Sequence, residues 1–412
     1  MLLYSDINNI TTLVIIKMIT KRISFVTDKD CCGCGVCVAI CPRDCINLVA
    51  NTEGFLYPEV DIVRCTECGL CAGVCPWQNN LERSDRVAPP QVYAAWNLDA
   101  GIRRQSSSGG VFTALADSVL EHGGVVVGAA FDENMVCRHL LVEEGNGLAA
   151  LRGSKYVQSE IPAELYQRIR SLLVNGRYLL FTGTPCQVAG LRNFLGKDFQ
   201  NLFCVDLLCH GVPSPAWLRK YINESQTDTH RVTNIDFRDK ETGWKRFKVK
   251  TKRSDGTSLI EGMFNNPYMA SFLKDYALRE SCYACKFTTT HRQGDLTIAD
   301  FWKVATKYPE YDTEDKGTSL ILVNSKKGQS WLNSCHSKLF IGMGDLEQAI
   351  FGNPMLARPA CRPAARDSFY RHVSIMSVRQ LRRKYRLHPQ PFWRRVLAGV
   401  NRRLKRLVKT SA

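Results

Sequence analysis

The sequence predicts a mixed fold, an α+β module followed by an α/β domain, on two observations. Between Cys31 and Cys75 one spacing of four cysteines occurs twice, with short strand-like runs between the copies. From Val92 onward, apolar runs of strand length alternate with stretches of helical period, the order that builds a parallel sheet through right-handed crossovers.

Residues 28–80 form the first unit. Its first cysteine set is Cys31, Cys34, Cys37 and Cys41, followed by Pro42. Its second is Cys65, Cys68, Cys71 and Cys75, followed by Pro76. Both read C-x2-C-x2-C-x3-C-P, the spacing of bacterial ferredoxins that hold two 4Fe–4S clusters. Three thiolates on a tight loop grip three irons of a cube, and Gly33, Gly35 and Gly69 let the backbone wrap around it. The fourth cysteine is expected to begin a helix and reach the other cluster. That assigns Cys31, Cys34, Cys37 and Cys75 to one cube, and Cys65, Cys68, Cys71 and Cys41 to the other. Disulfides need an oxidising compartment, and the sequence shows no secretory signal. Zinc sites use cysteine pairs across a longer loop. Cys32 and Cys45 fall outside the pattern and read as packing residues. Cys45–Val49 and Tyr57–Val60 read as strands around a turn at Gly54.

A polar stretch, Gln78–Pro90, reads as a linker to a second domain over residues 91–360. Val92–Trp96 reads as a strand. Ser106, Ser107, Ser108, Gly109 and Gly110 form a small hydroxyl-rich loop before a helix, Val111–Glu121. Gly124–Phe131 is a buried strand and Ala163–Asn175 a helix. Tyr178–Thr182 is a strand that runs into Gly183, Thr184, Pro185 and Cys186. A helix, Gln187–Leu195, then leads to a strand, Leu202–Leu208, that ends at Cys209, His210 and Gly211. This order puts Cys186 and Cys209 at the carboxyl ends of neighbouring parallel strands, where open α/β sheets bind ligands. Further on, Val232–Arg238 and Lys245–Thr251 read as an antiparallel pair. Asn266–Leu278 reads as a helix, and Asp295–Ala299 and Gly317–Asn324 as strands.

Four cysteines outside the first unit stand out: Cys186, Cys209, Cys282 and Cys285. Together they admit a third 4Fe–4S cluster or a zinc site, the latter also with His210 substituting. A reactive thiol at the helix start of Cys186, or four unlinked buried cysteines, fits them equally. Spacing alone leaves these open. Arg152, Gly153, Ser154, Lys155 and Tyr156 pack two cations, a glycine and a hydroxyl into one turn, which suits a phosphate or a solvated loop. The Ser106–Gly110 loop offers free backbone N–H groups to an anion, or simply caps a helix. Asp300 reads as a turn residue and Arg292 as a surface ion-pair partner.

The formal net charge is +16, from 55 Lys and Arg against 39 Asp and Glu. Thirteen of those cations follow Asp367, the last acidic residue, which leaves 42 against 39 elsewhere. The basicity therefore belongs to a C-terminal tail, residues 361–412, and the chain is not expected to bind nucleic acid. From Val378 the tail reads as two basic helical stretches broken at His388–Pro391. In the second, Phe392, Trp393, Val396, Leu397, Val400, Leu404 and Leu407 share one face, as in a helix lying on an anionic membrane surface; a solvated tail is the alternative. Residues 1–27 read as a disordered extension or as one that a mis-assigned start would produce, with Met18 as the alternative start. Free cysteines and iron–sulfur ligands suit a reducing cytoplasm.

The chain resembles the coenzyme F-420 hydrogenase/dehydrogenase beta-subunit family over roughly residues 28–360. The likeness rests on the two cysteine sets, Ser106–Gly110 with Val111 and Phe112, Gly153–Tyr156, and Thr182–Gln187. It continues through Cys209–Ser214, Arg238–Lys240 with Gly243 and Trp244, Cys282–Phe287, Gly294–Leu296 and Asp300–Trp302. The resemblance implies a ferredoxin module followed by an α/β flavin-binding domain. It further implies FAD beside Ser107, Ser108, Gly109, Gly110, Ser154, Lys155, Tyr156, Gly183 and Thr184, with Lys155 and Arg152 supplying charge to the pyrophosphate. The expected activity is an oxidoreductase passing electrons between a hydride carrier, reduced deazaflavin or another organic substrate, and 4Fe–4S clusters. The alternative is a non-catalytic subunit relaying electrons to a partner enzyme. Either reading expects a redox partner protein or a small-molecule hydride carrier. No residue is assigned to catalysis.

Overall fold

The computed structural model describes residues 20–79, 85–227, 229–312 and 314–389. The second basic stretch, with Phe392–Leu407, lies outside the described residues, as does most of the N-terminal extension. The last part of that extension is built in: β1 (Thr20–Arg22) pairs with β3 (Leu56–Asp61), which also pairs with β2 (Ile46–Ala50). Ile23 is buried against Cys37, Cys45 and Ile46.

The larger domain is organised on an eight-stranded sheet. Its strands are β4 (Arg86–Asn97), β5 (Val125–Phe131), β6 (Cys137–Val142), β7 (Leu179–Gly183) and β8 (Leu202–Leu207), then β12 (Leu296–Asp300), β13 (Ser319–Ser325) and β14 (Leu339–Met343). A separate antiparallel sheet holds β9 (Val232–Asp239), β10 (Lys248–Arg253) and β11 (Ser258–Gly262). The large sheet runs β14-β4-β13-β12-β8-β7-β5-β6. Its centre, β12, β8, β7 and β5, is parallel, and its flanks are antiparallel. All five residues of β7 and all seven of β13 are buried, as strands covered on both faces require.

The expected β7–helix–β8 crossover is present, with the helix over Pro185–Leu195. It starts two residues earlier than the sequence reading placed it. Thr184 caps it, with Gln187 completing a capping box and Pro185 in the first turn, so Cys186 lies inside the helix. β4 begins inside the supposed linker, at Arg86. Pro89 and Pro90 are accommodated where the β4–β13 register breaks between Val323 and Ser325, a place that demands no ladder hydrogen bond from them. The helix expected over Asn266–Leu278 spans only Pro267–Leu273, and Asp275 has a φ of 62° that no helix continues through.

The first unit does not hang from a linker. Phe55 and Tyr57, from the strand pair between the cysteine sets, are buried in one core with Trp217, Tyr268 and Phe369. Cys34, Val36 and Ala39 join a second core with Tyr166, Val188 and Leu191. Each large apolar side chain buried this way contributes about 1.5–3 kcal/mol. Part of the supposed basic tail belongs to the first of these cores. Arg366–Ile375 and Val378–Lys384 are helices whose Phe369 and Leu381 are fully buried, as is Leu387 just beyond the second. The charge reading overlooked this apolar face: Arg379, Arg382 and Arg383 carry the basicity while Val378 and Leu381 pack inward.

Candidate functional site

The two cysteine sets adopt the same local geometry. Gly35 and Gly69 stand before one-turn helices, Val36–Ala39 and Leu70–Gly73, with φ of 78° and 75°. Only glycine reaches that left-handed conformation cheaply. The fourth cysteine of each set follows its helix instead of beginning one. Pro42 and Pro76 disfavour a helical backbone at the preceding Cys41 and Cys75. Burial pushes the Cys37 thiol far up, and the nearby Cys31, Cys75 and Cys71 add to the rise. Cys71 is raised by burial with Cys68 and Cys41 nearby. Cys75 thus neighbours the first set and Cys41 the second. Cys45, read as packing, has its sulfur 3.4 Å from that of Cys41.

The outer cysteines meet at the floor of a cavity of about 620 Å³, where Cys186, Cys209, Cys282 and Cys285 are joined by Cys32. The Cys186 thiol is raised by its hydrogen bond with Cys32 and then by burial. Cys282 is pushed to about 12 and Cys285 to about 11, mainly by burial, with repulsion from each other or from Cys186 adding to it. Buried thiols that raise one another lose their protons only to a cation that neutralises them, which is the chemistry of a thiolate metal centre. Among the described residues, no three His, Cys, Asp or Glu side chains close to the spacing of a single metal ion. A four-iron cube spreads its thiolates more widely than one tetrahedral ion does.

Above the cysteines the same cavity collects Ser106–Ser108, Gly110, Arg152–Tyr156, Thr182–Gln187 and Leu207–Val212. Phe112, Tyr156, Phe247, Phe272 and Trp302 supply apolar wall. The three loops singled out in the sequence therefore converge. Gly109 does not line the cavity. Its N–H donates to Ser319 Oγ, and a Cβ there would meet the Ala95 carbonyl oxygen at 2.4 Å, so it serves packing against the sheet. The Ser154 N–H and hydroxyl both bond Ser107 Oγ, at 2.8 and 2.9 Å, tying two loops together. Lys155 Nζ donates to the carbonyls of Ala150 and Arg152, and burial lowers it to about 8.

The organiser of the cavity is Arg238, which the sequence did not single out as a site residue. Phe237 and Arg238 both point inward because an extra residue in β9 breaks its alternation. The Arg238 guanidinium holds Asp300 through bonds of 2.7 and 2.9 Å, reaches Tyr156 Oη at 3.0 Å and donates to the Ser107 carbonyl at 3.1 Å. Among the described residues its Nε has no partner. Asp300, read as a turn residue, ends β12 and also accepts from Trp244 Nε1 at 2.5 Å. His139 lines the cavity as well and was missed. Its Nε2 sits 3.0 Å from the Thr182 carbonyl, which can only accept, so that nitrogen carries the hydrogen; Nδ1 is buried with no hydrogen-bond partner among the described residues. Burial lowers this imidazole to about 4, and it is neutral at pH 7.

Arg292 is not at the surface. It is 2% exposed and bonds Asp206 at 3.0 Å while donating to the carbonyls of Phe287 and Thr289. Asp206 also accepts from the backbone of Gln293 and Gly294. This network fixes the loop after Cys285 to the end of β8, beside Cys209.

Three family models match this chain. Residues 30–79 match a 4Fe-4S dicluster domain. Residues 92–165 and 176–349 match the N-terminal and C-terminal parts of the coenzyme F420 hydrogenase/dehydrogenase beta subunit. The chain belongs to the coenzyme F420 hydrogenase/dehydrogenase beta-subunit family. As an iron–sulfur member it is an electron-transfer protein of the oxidoreductase class. A chain of the F420-reducing [NiFe] hydrogenase complex from Methanosarcina barkeri, solved in a xenon-derivatized form, is similar at 15% identity. The match covers 68% of this chain and 92% of that one, with a TM-score of 0.45. No curated protein matches this family member. Among its described residues, no helix is long and apolar enough to cross a membrane.

Proposed function

We propose that this family member is a flavin-dependent oxidoreductase that passes electrons between a hydride carrier and iron–sulfur clusters. One observation carries the reading: a single cavity joins the serine- and glycine-bearing loops, an aromatic wall and a floor of cysteines that touches the ferredoxin-type module. Cys31, Cys34, Cys37 and Cys75 would hold one cube, and Cys65, Cys68, Cys71 and Cys41 the second. Cys186, Cys209, Cys282 and Cys285 would hold a third.

The residues fit a flavin dinucleotide. Small side chains and open backbone around Ser107, Ser108, Gly110, Ser154, Gly183 and Thr184 suit a pyrophosphate, and Lys155 and Arg152 supply positive charge. Tyr156, Phe247 and Trp302 offer apolar surface to a ring system. Bound there, a flavin supplies the exchange between two-electron hydride chemistry and single-electron clusters. The chain's own part is to orient the ring, exclude water and hold the fixed charges of Arg238 and Asp300.

Iron, sulfide and flavin analysis of anaerobically purified chain tests the reading. Flavin near one per chain, with reduction of the clusters by a hydride donor, is the expected result. Clusters without flavin would leave a relay subunit instead. One feature favours a protein partner in either case. The second cysteine set lies in an open rim where Cys68 is exposed and Ile62, Val63 and Leu70 are 51%, 77% and 47% exposed. Cys34, Cys37 and Cys75 are buried.

A further inference from the structure

Arg279 is fully buried and has no carboxylate partner among the described residues. The other two arginines shut off to the same degree are both paired. Arg292 bonds Asp206, and Arg366 holds Glu53 through two bonds of 2.6 Å. Arg279 instead donates Nε to the Cys31 carbonyl at 2.7 Å, Nη1 to Gln158 Oε1 at 2.9 Å and Nη2 to the Leu56 carbonyl at 2.9 Å. Its guanidinium lies 4.0 Å over the Tyr57 ring and 5.5 Å from that of Phe55. These contacts satisfy hydrogen bonds but leave a full positive charge with no fixed negative one. A guanidinium cannot shed its proton, and an uncompensated buried charge carries a large desolvation penalty.

The anions within its reach are sulfur. Cys31, Cys32 and Cys282 all lie close enough to act on its charge, as does Tyr57, whose hydroxyl burial pushes up to about 12 and so keeps neutral. The position is built with little freedom. Gly33, at φ +71°, leaves no room for a Cβ, which would lie 2.0 Å from Gln158 Nε2 and 3.0 Å from Arg279 Nη1. Ser281 Oγ joins Arg279 Nε on the same Cys31 carbonyl, at 3.0 Å. The arginine, at the start of the turn that carries Cys282, is thus fixed against the first cysteine set.

We propose that Arg279 is the counter-charge of the cluster held by Cys31, Cys34, Cys37 and Cys75, and that it sets that cluster's reduction potential. This rests on the ligand assignment proposed above. A cube with four thiolates is anionic in both redox states, and reduction adds one electron and one negative charge. No bond to the protein forms or breaks. No proton needs to accompany the electron, because the compensating charge is already in place. Net charge and solvent exposure are the protein's main levers on such potentials. The buried cube beside Arg279 is therefore easier to reduce than it would be with the charge removed. The Cys65 cube, in its exposed rim, does not depend on Arg279. Arg279 is a positioning residue: it touches the ligand loops, not the iron.

The test is an anaerobic redox titration of the full reconstituted chain, followed by EPR. Cys71→Ser and Cys282→Ser variants identify the Cys65 signal and that of the outer cysteines by their loss. In Arg279→Met the reduced-to-oxidised ratio of the Cys31 cluster should fall at least tenfold at fixed potential, about 59 mV for a one-electron couple. The Cys65 cluster should not move. Arg279→Lys keeps the charge and should restore most of the shift. The wild-type potential of the Cys31 cluster should be flat across neutral pH. Unchanged potentials in Arg279→Met, an equal fall at both clusters, or a lysine variant as low as the methionine one would overturn the role. If the methionine variant cannot be loaded, the lysine variant decides by whether it stays near wild type or falls tenfold. A wild-type chain that takes up no iron at either set would remove the cluster assignment itself, whereas absence of flavin would leave this role untouched.

Discussion

Arg238 and Asp300 meet in a two-bond ion pair, 2.7 and 2.9 Å, at the point where the Ser107 loop, Tyr156 and the end of β12 come together. The pair joins a bulged strand of the small sheet to the carboxyl edge of the large one. It gives the cavity a fixed dipole that needs no ligand to assemble it.

Breaking the pair should be costly from either side. Asp300→Leu leaves Arg238 buried and unpaired, and it should lower stability by about 3–5 kcal/mol. Arg238→Met should do the same to Asp300. The double variant should lose clearly less than the sum of the two, because it strands no charge. Urea denaturation of the three variants measures this; simple additivity would mean that the pair is not coupled.

Iron content should report the three proposed centres separately. Cys37→Ser, Cys71→Ser and Cys282→Ser should each remove about four irons per chain, one cube's complement. A Cys282→Ser chain that keeps its full iron content would show that the outer cysteines serve another purpose.

Lys155→Glu should weaken flavin retention at least about tenfold, or ~1.4 kcal/mol, because it reverses a charge placed toward an anion. In the unliganded chain Lys155 is held at about 8 by burial. Its charge is present below that pH and fades as pH rises through it. Flavin affinity should therefore decline on the alkaline side of neutral, and Lys155→Gln should flatten the decline. Equilibrium dialysis at a series of pH values checks both.

His139 should make the fold acid-sensitive. Its folded value of about 4 lies below the ordinary 6.5, so the unfolded chain binds the extra proton between those pH values. Stability rises with pH across that window and the full penalty is present below about 4. The loss amounts to roughly 3 kcal/mol at most. His139→Asn should reduce the change in urea midpoint between pH about 5 and 7. An unaltered pH slope would show that another group dominates.

Glu53→Gln should loosen the C-terminal strap. It leaves Arg366 buried with the Leu278 carbonyl, the partly exposed Glu280 and the exposed Asp367 to meet its charge. A loss of about 3 kcal/mol is expected. Hydrogen exchange over residues 366–388 should accelerate before that over β7 and β8; uniform acceleration would argue against a separate strap.

The sequence made some of this legible because the chemistry is local. Eight cysteines at fixed spacing define a ligand set without tertiary knowledge. The β7–helix–β8 unit likewise follows from buried strand runs and helical periodicity between them, although the helix begins two residues before the expected Gln187. The strand-end places of Cys186 and Cys209 followed from the same alternation, whereas the grouping of Ser107, Ser154 and Gly183 came from the family resemblance. Arg238, Asp300 and His139 were not legible as site residues. Arg238 depends on a bulge that no alternation pattern announces, and His139 sits on an edge strand opposite a carbonyl 43 residues away. Arg292 looked like a surface charge because its partner Asp206 is 86 residues distant. Residues 366–388 misled because charge dominates their composition, while a narrow apolar face decides where they go. Cys32 falls between two ligands of a repeating motif, and its neighbour Cys186 appears only once the chain is folded.

The helix Pro185–Leu195 carries Cys186 at one end and Gly190 at its middle. A Cβ on Gly190 would lie 3.2 Å from Cys34 Sγ and 3.3 Å from its Cβ. The cysteine loop of the module is thus seated on bare helix backbone. Ferredoxin modules are often regarded as interchangeable cassettes, yet this seat accepts only a loop of matching contour. A transplanted module would need its own cysteine loop cut to that helix, and even Gly190→Ala would require Cys34 to give by a few tenths of an ångström. The halves are therefore constrained to drift together during evolution, as a lock and key made from one polypeptide.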